Sequence, residues 1–242
     1  GFSSVFGITR NLDSAGDNIS SFIVNSKGNI WEATGENIQA AIWDLNSTNG
    51  GTVHLPPGLI YYGGPIFLIN NTHLKGAGMY NTILKCNVDT YWGSFIGASG
   101  KHDVIVSDLS IHGNNTYSGG GMNYAGGSYN LGFFGTENID IYNVRSDYGL
   151  SCCLRIGPID YFNSINYDFG GRYIYVNNYV SRGAYREGEG SHSISVVEGY
   201  NGFFSNLYLT ECGTEQIDIQ DCENFSFTNV HCNYTIDNGR GL

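Results

Sequence analysis

The stretch Ile139-Asp-Ile-Tyr-Asn143-Val-Arg-Ser146 shows the pattern that decides the fold of this chain. Two apolar residues alternate with variable ones, an Asn follows, and an apolar residue comes directly after it. Because side chains alternate along a strand, the two apolar residues before the Asn share one face. The Asn interrupts the alternation, so the pattern predicts a strand, a bend and a second strand. Four other segments align with this stretch: 104–111, 174–181, 202–209 and 225–232.

The aligned segments place an Asn or Asp at every predicted bend, namely Asp108, Asn143, Asn178, Asn206 and Asn229. Successive bends are separated by 35 (143 − 108), 35 (178 − 143), 28 (206 − 178) and 23 (229 − 206) residues. A strand and bend repeated at such intervals predict a solenoid. Asn tolerates the left-handed backbone that a tight bend needs, and stacked amides can hydrogen-bond to one another. The sequence therefore predicts an all-β fold, a single-stranded parallel β-helix with a structural ladder of amides.

Residues 34–48 predict one amphipathic helix before the first coil. Thr34 suits the N-cap, and Glu36 lies in the first turn, where the helix dipole favours a negative charge. An apolar stripe follows with helical spacing, made of Ile38, Ala41, Ile42 and Leu45. We expect this helix to cap the open apolar end of the coils.

The remaining chain divides around that helix. Residues 1–33 form an N-terminal arm with short strands, which either lie along the solenoid or pair with a neighbouring molecule. Residues 49–242 form the β-helix, with long loops at 112–130, 157–172 and 183–191. Because these loops leave consecutive coils, we expect them to share one side of the rod.

A family resemblance begins where the helix ends. The sequence Asn49-Gly-Gly, the strand end Leu55-Pro-Pro-Gly58, the stretch Leu74-Lys-Gly-Ala-Gly78 and the strand Thr82-Ile-Leu84 follow one another. This order resembles the opening coils of the pectate-lyase-like right-handed parallel β-helix superfamily, over roughly residues 36–235. The resemblance implies a right-handed coil.

The superfamily holds polysaccharide lyases, polygalacturonases, uronate epimerases, tailspike depolymerases and surface proteins. The Asp-Asp, Asn-x-Asp and His-Gly set of polygalacturonases is absent, and so is the Trp-x-Asp-His of pectate lyases. The resemblance therefore implies a fold and no single activity.

The charge of the chain excludes some partners. With a net charge of −11 and only 14% charged residues, nucleic-acid binding is not expected, because it needs a basic face. Binding to an anionic polymer would be weakened unless a divalent cation bridged the partners. There is no apolar run of about 18 residues, so we expect no membrane span. The chain begins at Gly1, as a processed mature form or an excised fragment would.

Cysteines and glycosylation motifs indicate a secreted, extracellular or cell-surface location. Six cysteines in a chain of this composition are typical of an oxidising compartment. Buried free thiols are the alternative, and no Cys-x-x-Cys motif predicts a metal site. The candidate disulfide residues are Cys86, Cys152, Cys153, Cys212, Cys222 and Cys232. The candidate glycosylation sites are Asn18, Asn46, Asn70, Asn114, Asn224 and Asn233.

Six residues of the middle coils are candidates for catalysis: Asp147, Arg155, Arg186, Glu187, Glu189 and His192. A lyase needs a base for the proton next to a uronate carboxylate and a cation to neutralise that carboxylate. Arg186 or His192 would be the base, with Glu187 and Asp147 as Ca²⁺ ligands; no cofactor is otherwise required. A hydrolase would need two carboxylates about 5–10 Å apart, such as Glu187 and Glu189. The alternative is that the Arg-Glu-Gly-Glu-Gly stretch is a solvated hairpin of mixed charge.

Three functions fit these features. The first, narrowly favoured, is a secreted structural or surface protein that self-assembles into homo-oligomers or filaments. Assembly would use the open last coil, residues 217–235, or the N-terminal arm. The second is a polysaccharide lyase, hydrolase or epimerase, and the third is a viral tailspike-like receptor-binding module. Tyr-rich loops suit contact with a cell-envelope glycan, contact with protein, or simple packing against the rod.

Overall fold

The computed structural model describes residues 22–87, 93–113, 128–149, 151–160, 163–184 and 191–235. These residues form nineteen strands, one α-helix and one 3₁₀ turn. In chain order they are β1 (Phe22–Asn25), β2 (Ile30–Glu32), α1 (Gly35–Asp44), the 3₁₀ turn (Leu45–Thr48), β3 (Gly51–His54), β4 (Gly58–Tyr62), β5 (Ile66–Phe67), β6 (Thr72–Lys75), β7 (Thr82–Cys86), β8 (Gly93–Ser99), β9 (His102–His112), β10 (Ser128–Phe134), β11 (Thr136–Asp147), β12 (Cys152–Gly157), β13 (Ile159–Asp160), β14 (Ile165–Asn166), β15 (Gly171–Arg182), β16 (His192–Val197), β17 (Gly199–Cys212), β18 (Ile217–Gln220) and β19 (Glu223–Thr235).

Most strands belong to two sheets of parallel strands. The short sheet has the order β18-β16-β12-β10-β8-β5, and the long sheet has the path β19-β17-β15-β11-β9-β6-β3-β1-β2. From β8 onward the chain passes from one sheet to the other at each step, apart from the small β13–β14 hairpin. Each strand pairs in parallel with the previous strand of its own sheet. For example, Ile174 of β15 is in register with Ile139 of β11. The chain therefore forms stacked coils, here called rungs; their handedness stays a prediction.

The predicted bends lie within the strands of the long sheet. Asp108, Asn143, Asn178, Asn206 and Asn229 all have left-handed backbone, with φ between 51° and 58°. The Nδ2 atom of Asn143 donates to Asp108 Oδ1 at 3.0 Å, and that of Asn178 donates to Asn143 Oδ1 at 2.9 Å. Asn229 donates to Asn206 at 2.7 Å, but Asn206 donates to Asn177 instead of Asn178. The ladder is thus continuous except for this shift by one residue.

A second column of bends lies five residues before the first. Asp103, Asn138, Tyr173, Asn201 and Asn224 also have positive φ. Asn138 Nδ2 donates to Asp103 Oδ1 at 2.7 Å, and Asn224 Nδ2 donates to Asn201 Oδ1 at 3.2 Å. Tyr173 interrupts this ladder because its side chain has no amide. The same offset of five residues is present in the sequence, so this column was predictable.

The core lies between the sheets and is made of the residues on their inner faces. Ile139, Ile141 and Val144 of β11 are fully buried. The Phe204 ring packs against both Phe225 and Phe227 of the next rung, with centroid distances of 5.7 and 4.9 Å. Among the described residues, β18 and β19 have a neighbouring strand on one side only. For that reason Phe227, although it packs on Phe204, keeps 37% of its surface exposed.

Helix α1 lies at the other end of the stack. Thr34 is its N-cap and accepts a hydrogen bond from Asn37 N at 3.2 Å. Its buried stripe of Ile38, Ala41 and Ile42 packs into the core. Gln39 pairs with the edge of the short sheet: its Nε2 donates to Phe67 O at 3.1 Å, and its Oε1 accepts from Phe67 N at 2.6 Å. The helix therefore covers apolar surface and supplies hydrogen bonds to the edge backbone of β5.

The described part of the N-terminal arm pairs with its own chain. β1 is antiparallel to β2 and to β3. Of the predicted loops, 112–130 and 183–191 fall mainly on residues 114–127 and 185–190, outside the described residues, as do residues 1–21. The 157–172 loop contains the β13–β14 hairpin. Within the described ranges no helix is long or apolar enough to cross a membrane.

The structure shows no disulfide among the six cysteines, all of which lie in the described residues. Cys152, Cys153 and Cys212 are buried free thiols, Cys222 is a partly buried one, and Cys232 is an exposed one. Cys86 is buried. The free thiols agree with the alternative that the sequence left open.

The predicted glycosylation sites differ in their surroundings. Asn46 and Asn233 are exposed, whereas Asn70 accepts a hydrogen bond from His102 N at 3.2 Å. Asn224 belongs to the second ladder, so a glycan there would compete with its bond to Asn201. Asn18 and Asn114 lie outside the described residues, and glycosylation stays a prediction.

Candidate active site on the outer face of the short sheet

Three polar residues form a row on the outer face of the short sheet. Arg155 pairs in register with Ser195, and Ser195 with Asp218. Each stands between two apolar residues that face the core, as in Leu154-Arg-Ile156. Since side chains alternate along a strand, the polar residue must face outward. Neighbouring rungs lie about 4.8 Å apart, so the three side chains meet.

Hydrogen bonds join this row into one network. Arg155 Nη1 donates to Ser195 Oγ at 2.5 Å, and Ser195 Oγ donates to Asp218 Oδ2 at 2.9 Å. Gln220 Nε2 donates to both Asp218 oxygens at 3.0 Å. Ser195 is fully buried beneath its neighbours. The serine thus holds a guanidinium and a carboxylate at fixed positions.

His192 lies beside this row, at the start of β16. Its Nδ1 is 3.2 Å from Glu215 Oε2, and its Nε2 is 3.8 Å from Asp218 Oδ2. Burial lowers the pKa of His192 below its ordinary value and outweighs the two carboxylates, which act to raise it. The imidazole is therefore neutral near pH 7 and able to accept a proton. We call this group the His192 cluster: Arg155, His192, Ser195, Glu215, Asp218 and Gln220.

An aromatic wall adjoins the cluster on the preceding rungs. Tyr129 and Phe134 pack with Cys152 and Tyr167, and Cys152 is the direct neighbour of His192 in the sheet. Tyr167 follows the β13–β14 hairpin, and its hydroxyl lies 2.8 Å from Ser99 Oγ. Its ring lies on Gly135, whose φ is 54°; an added Cβ there would be 2.3 Å from the ring. The 157–172 loop is therefore folded back over earlier rungs.

Asp147, also predicted as catalytic, lies on a different sheet. It ends β11, is fully buried, and its Oδ2 is 2.6 Å from Arg145 Nε and 3.6 Å from His112 Nε2. Burial raises the pKa of Asp147 and lowers that of His112. The carboxylate is thus engaged in an ion pair of the long sheet, away from the His192 cluster.

The structure brings together two of the six predicted catalytic residues, Arg155 and His192. Arg186, Glu187 and Glu189 lie outside the described residues. Within the described ranges no three His, Cys, Asp or Glu residues are grouped to hold a metal ion. The predicted Ca²⁺ pair, Asp147 with Glu187, stays a prediction.

Sequence reasoning missed Ser195, Glu215, Asp218 and Gln220. A signal for two of them was present, because Leu154-Arg-Ile156, Ile194-Ser-Val196 and Ile217-Asp-Ile219 repeat one pattern of apolar, polar, apolar. These segments lie outside the Asn-bend pattern from which the fold is predicted.

No protein-family model matches the chain. A segment of 120 residues is 32% identical to alginate lyase 7 of Azotobacter vinelandii, covering 44% of this chain and 13% of that protein. ORF18 of Geobacillus virus E2 has a similar structure, with a TM-score of 0.63, 14% identity, and 84% and 39% of the two chains covered. A putative glycosyl hydrolase from Parabacteroides merdae gives a TM-score of 0.59 at 15% identity, covering 81% and 89%.

The fold is that of the pectate-lyase-like parallel β-helix proteins. The resemblance read from the opening coils is therefore confirmed at the level of the fold. The pre-mature gene product 12 of bacteriophage phi29 is also similar, with a TM-score of 0.57 at 18% identity, over 77% of this chain and 25% of that one. The matched segment spans 13% of the length of the curated relative. The identities to the solved structures are below 20%, so those comparisons show a similar architecture and nothing about function.

Proposed function

We propose that this chain acts on an extracellular polysaccharide containing uronate residues, as a lyase or an epimerase that removes the C5 proton. The observation that carries the proposal is the meeting of a neutral His192 and the Arg155 cation on one outer sheet face. The local likeness to an alginate lyase supports the choice of an acidic polysaccharide. The secreted location rests on the cysteine and glycosylation motifs of the sequence.

In this proposal His192 is the base and Arg155 binds the substrate carboxylate. The imidazole takes the C5 proton, and the electron pair of that C–H bond moves into the carboxylate as an enediolate. Arg155, fixed by Ser195, stabilises the added negative charge. In a lyase the C4–O bond then breaks as the C4–C5 double bond forms, and the leaving oxygen takes the proton that His192 has accepted. In an epimerase C5 instead takes a proton from a water molecule on its opposite face, and His192 releases its proton to the resulting hydroxide through solvent.

The test is to incubate the purified chain with polymannuronate, polyguluronate and polygalacturonate, with Ca²⁺ and with a chelator. Unsaturated uronate is followed by ultraviolet absorbance, and exchange at C5 by NMR in D₂O. We expect His192→Asn to lower the rate by about 10²-fold or more. His112→Asn is the matched control, because burial also lowers the pKa of His112 beside a carboxylate on the other sheet. Its rate should stay within about twofold of wild type.

Three results would refute this proposal. One is that no uronate polymer shows elimination or exchange. Another is that His192→Asn retains the wild-type rate. The third is release of reducing ends without unsaturated sugar. That result would identify the reaction as hydrolysis, which needs two carboxylates. Because burial lowers the pKa of His192 below 6.5, we expect the wild-type rate to stay constant as the pH is lowered to 6.5. At lower pH the rate should fall as His192 becomes protonated.

Self-assembly is a second candidate function, favoured by the last rung. Among the described residues, β18 and β19 pair on one side only, and Phe225, Phe227 and Val230 are partly exposed there. Unpaired strand edges over apolar surface are templates for another chain. Light scattering of the wild type against Phe227→Asp at increasing concentration tests this; equal masses for both proteins at every concentration would exclude it.

A further inference from the structure

The outer face of the long sheet carries exposed aromatic rings that the proposed reaction does not use. They lie on β15, β17 and β19, on the opposite sheet from the His192 cluster. We call this surface the aromatic face; it consists of Tyr173, Tyr175, Phe203, Tyr208 and His231, with Asn177, Ser205, Asn206, Thr228 and Asn229 between them.

The rings are arranged in two stacks by the register of the strands. Tyr175 is paired with Phe203, and their rings are parallel within 4° at a centroid distance of 5.6 Å. Tyr208 is paired with His231, and those rings are parallel within 3° at 4.8 Å. Tyr208 remains 47% exposed and Phe203 43%. Each stack is a rigid aromatic surface held by two strands.

The protein surface between the two stacks is polar and uncharged. The outward positions from Phe203 to Tyr208 and from Ser226 to His231 hold only amides, hydroxyls and the rings themselves. The Asn206 amide is held in the ladder, between Asn177 and Asn229. In a chain with a net charge of −11, these positions carry no Lys, Arg, Asp or Glu and offer no countercharge to an ionic partner; the neighbouring carboxylate, Asp140, lies beside Tyr175 at the margin of the face.

We propose that the aromatic face binds a neutral polysaccharide. Sugar rings present apolar C–H faces that pack on aromatic rings, while their hydroxyls hydrogen-bond to amides. Phe203 and Tyr208 lie five positions apart along β17, on the two sides of the Asn206 bend, so the two stacks offer their rings to successive sugars of a chain that crosses the bend. A protein partner also favours Tyr, but here the rings are separated by hydrogen-bonding groups and do not form one contiguous apolar patch.

The proposal is tested by affinity electrophoresis and calorimetry with soluble dextran, laminarin, galactomannan and starch. The test variant is Phe203→Ser combined with Tyr208→Ser. The matched control is Tyr80→Ser, which removes an exposed ring, 63% exposed, from another part of the surface. We expect wild type and control to bind at least one of these polymers, and the double variant to bind it about tenfold more weakly or worse.

Two binding results would overturn the proposal, and so would one result of light scattering. One is that the wild type binds none of the four polymers. The other is that the control loses as much affinity as the double variant. If the wild type instead self-associates in light scattering and the double variant does not, the face is a contact between copies, and the glycan proposal is wrong. His192→Asn should leave this binding unchanged, so its outcome is separate from that of the proposed reaction.

Discussion

Replacing Asn178 tests the reason for which Asn recurs at the bends. Asn178 has φ 51°, and its Nδ2 donates to Asn143 Oδ1 at 2.9 Å. Asn178→Ala removes a hydrogen bond worth about 1 kcal/mol and places an Ala in left-handed backbone, which costs about 1 kcal/mol more. Asn178→Gly removes the same bond but adopts this backbone without steric cost.

We therefore expect Asn178→Ala to lower the free energy of unfolding by about 2 kcal/mol and Asn178→Gly by about 1 kcal/mol. For a chain of this size each kcal/mol lowers Tm by about 2–4 °C. The expected losses are thus about 4–8 °C for Ala and about 2–4 °C for Gly. Thermal melts followed by circular dichroism measure both, with Asn166→Ala in the exposed hairpin strand as a control.

The relative stability of the Ala and Gly variants tests whether the left-handed backbone explains the Asn column. If Gly destabilises as much as Ala, or more, the left-handed bend does not explain the Asn column. If both variants have the same Tm as the Asn166→Ala control, the ladder contributes no measurable stability. The bends would then be held by the strands on either side.

Further predictions concern a glycine, a histidine and the thiols. Gly135→Ala should lower the free energy of unfolding by about 2–3 kcal/mol, because φ is positive and the new Cβ would lie 2.3 Å from the Tyr167 ring. Gly58→Ala, also at positive φ but with no atom within 4 Å, should cost only the strain, and equal urea midpoints would contradict the packing argument. Burial lowers the pKa of His73 to about 4, so between pH 6.5 and 4 the unfolded chain takes up a proton that the folded chain does not, and stability falls on acidification. His73→Gln should reduce the slope of unfolding free energy against pH by up to about 1.4 kcal/mol per pH unit. Parallel stability curves for the wild type and the variant would refute this prediction. Burial raises the pKa of Cys153 to about 12 and of Cys152 to about 11, so a thiol reagent should modify exposed Cys232 first and these two only on unfolding; labelling at equal rates in the native protein would be inconsistent with the structure.

The bends and the inner face were predictable because they depend on local rules. Left-handed backbone at Asn143 and its aligned partners follows from residue type, and the buried strands follow from alternation. The capping helix was also readable, since Thr34 and the apolar stripe lie within a few turns of one another.

The grouping of Arg155, His192 and Asp218 was not predictable in the same way. These residues lie on β12, β16 and β18, and the loops that join such strands differ in length, so their sequence separation does not give their register. The repeated apolar, polar, apolar pattern aligns Arg155, Ser195 and Asp218, but only the backbone pairing of the short sheet places His192 beside them. Asp147 illustrates the opposite case: it is close to Arg155 in sequence, yet the chain turns between β11 and β12 and places the two on different sheets.

The repeating rung therefore follows from local sequence patterns, because alternation and bend chemistry act over a few residues. The surfaces shared by outward side chains follow from the folded chain, because they depend on how rungs of unequal length align when their backbones hydrogen-bond.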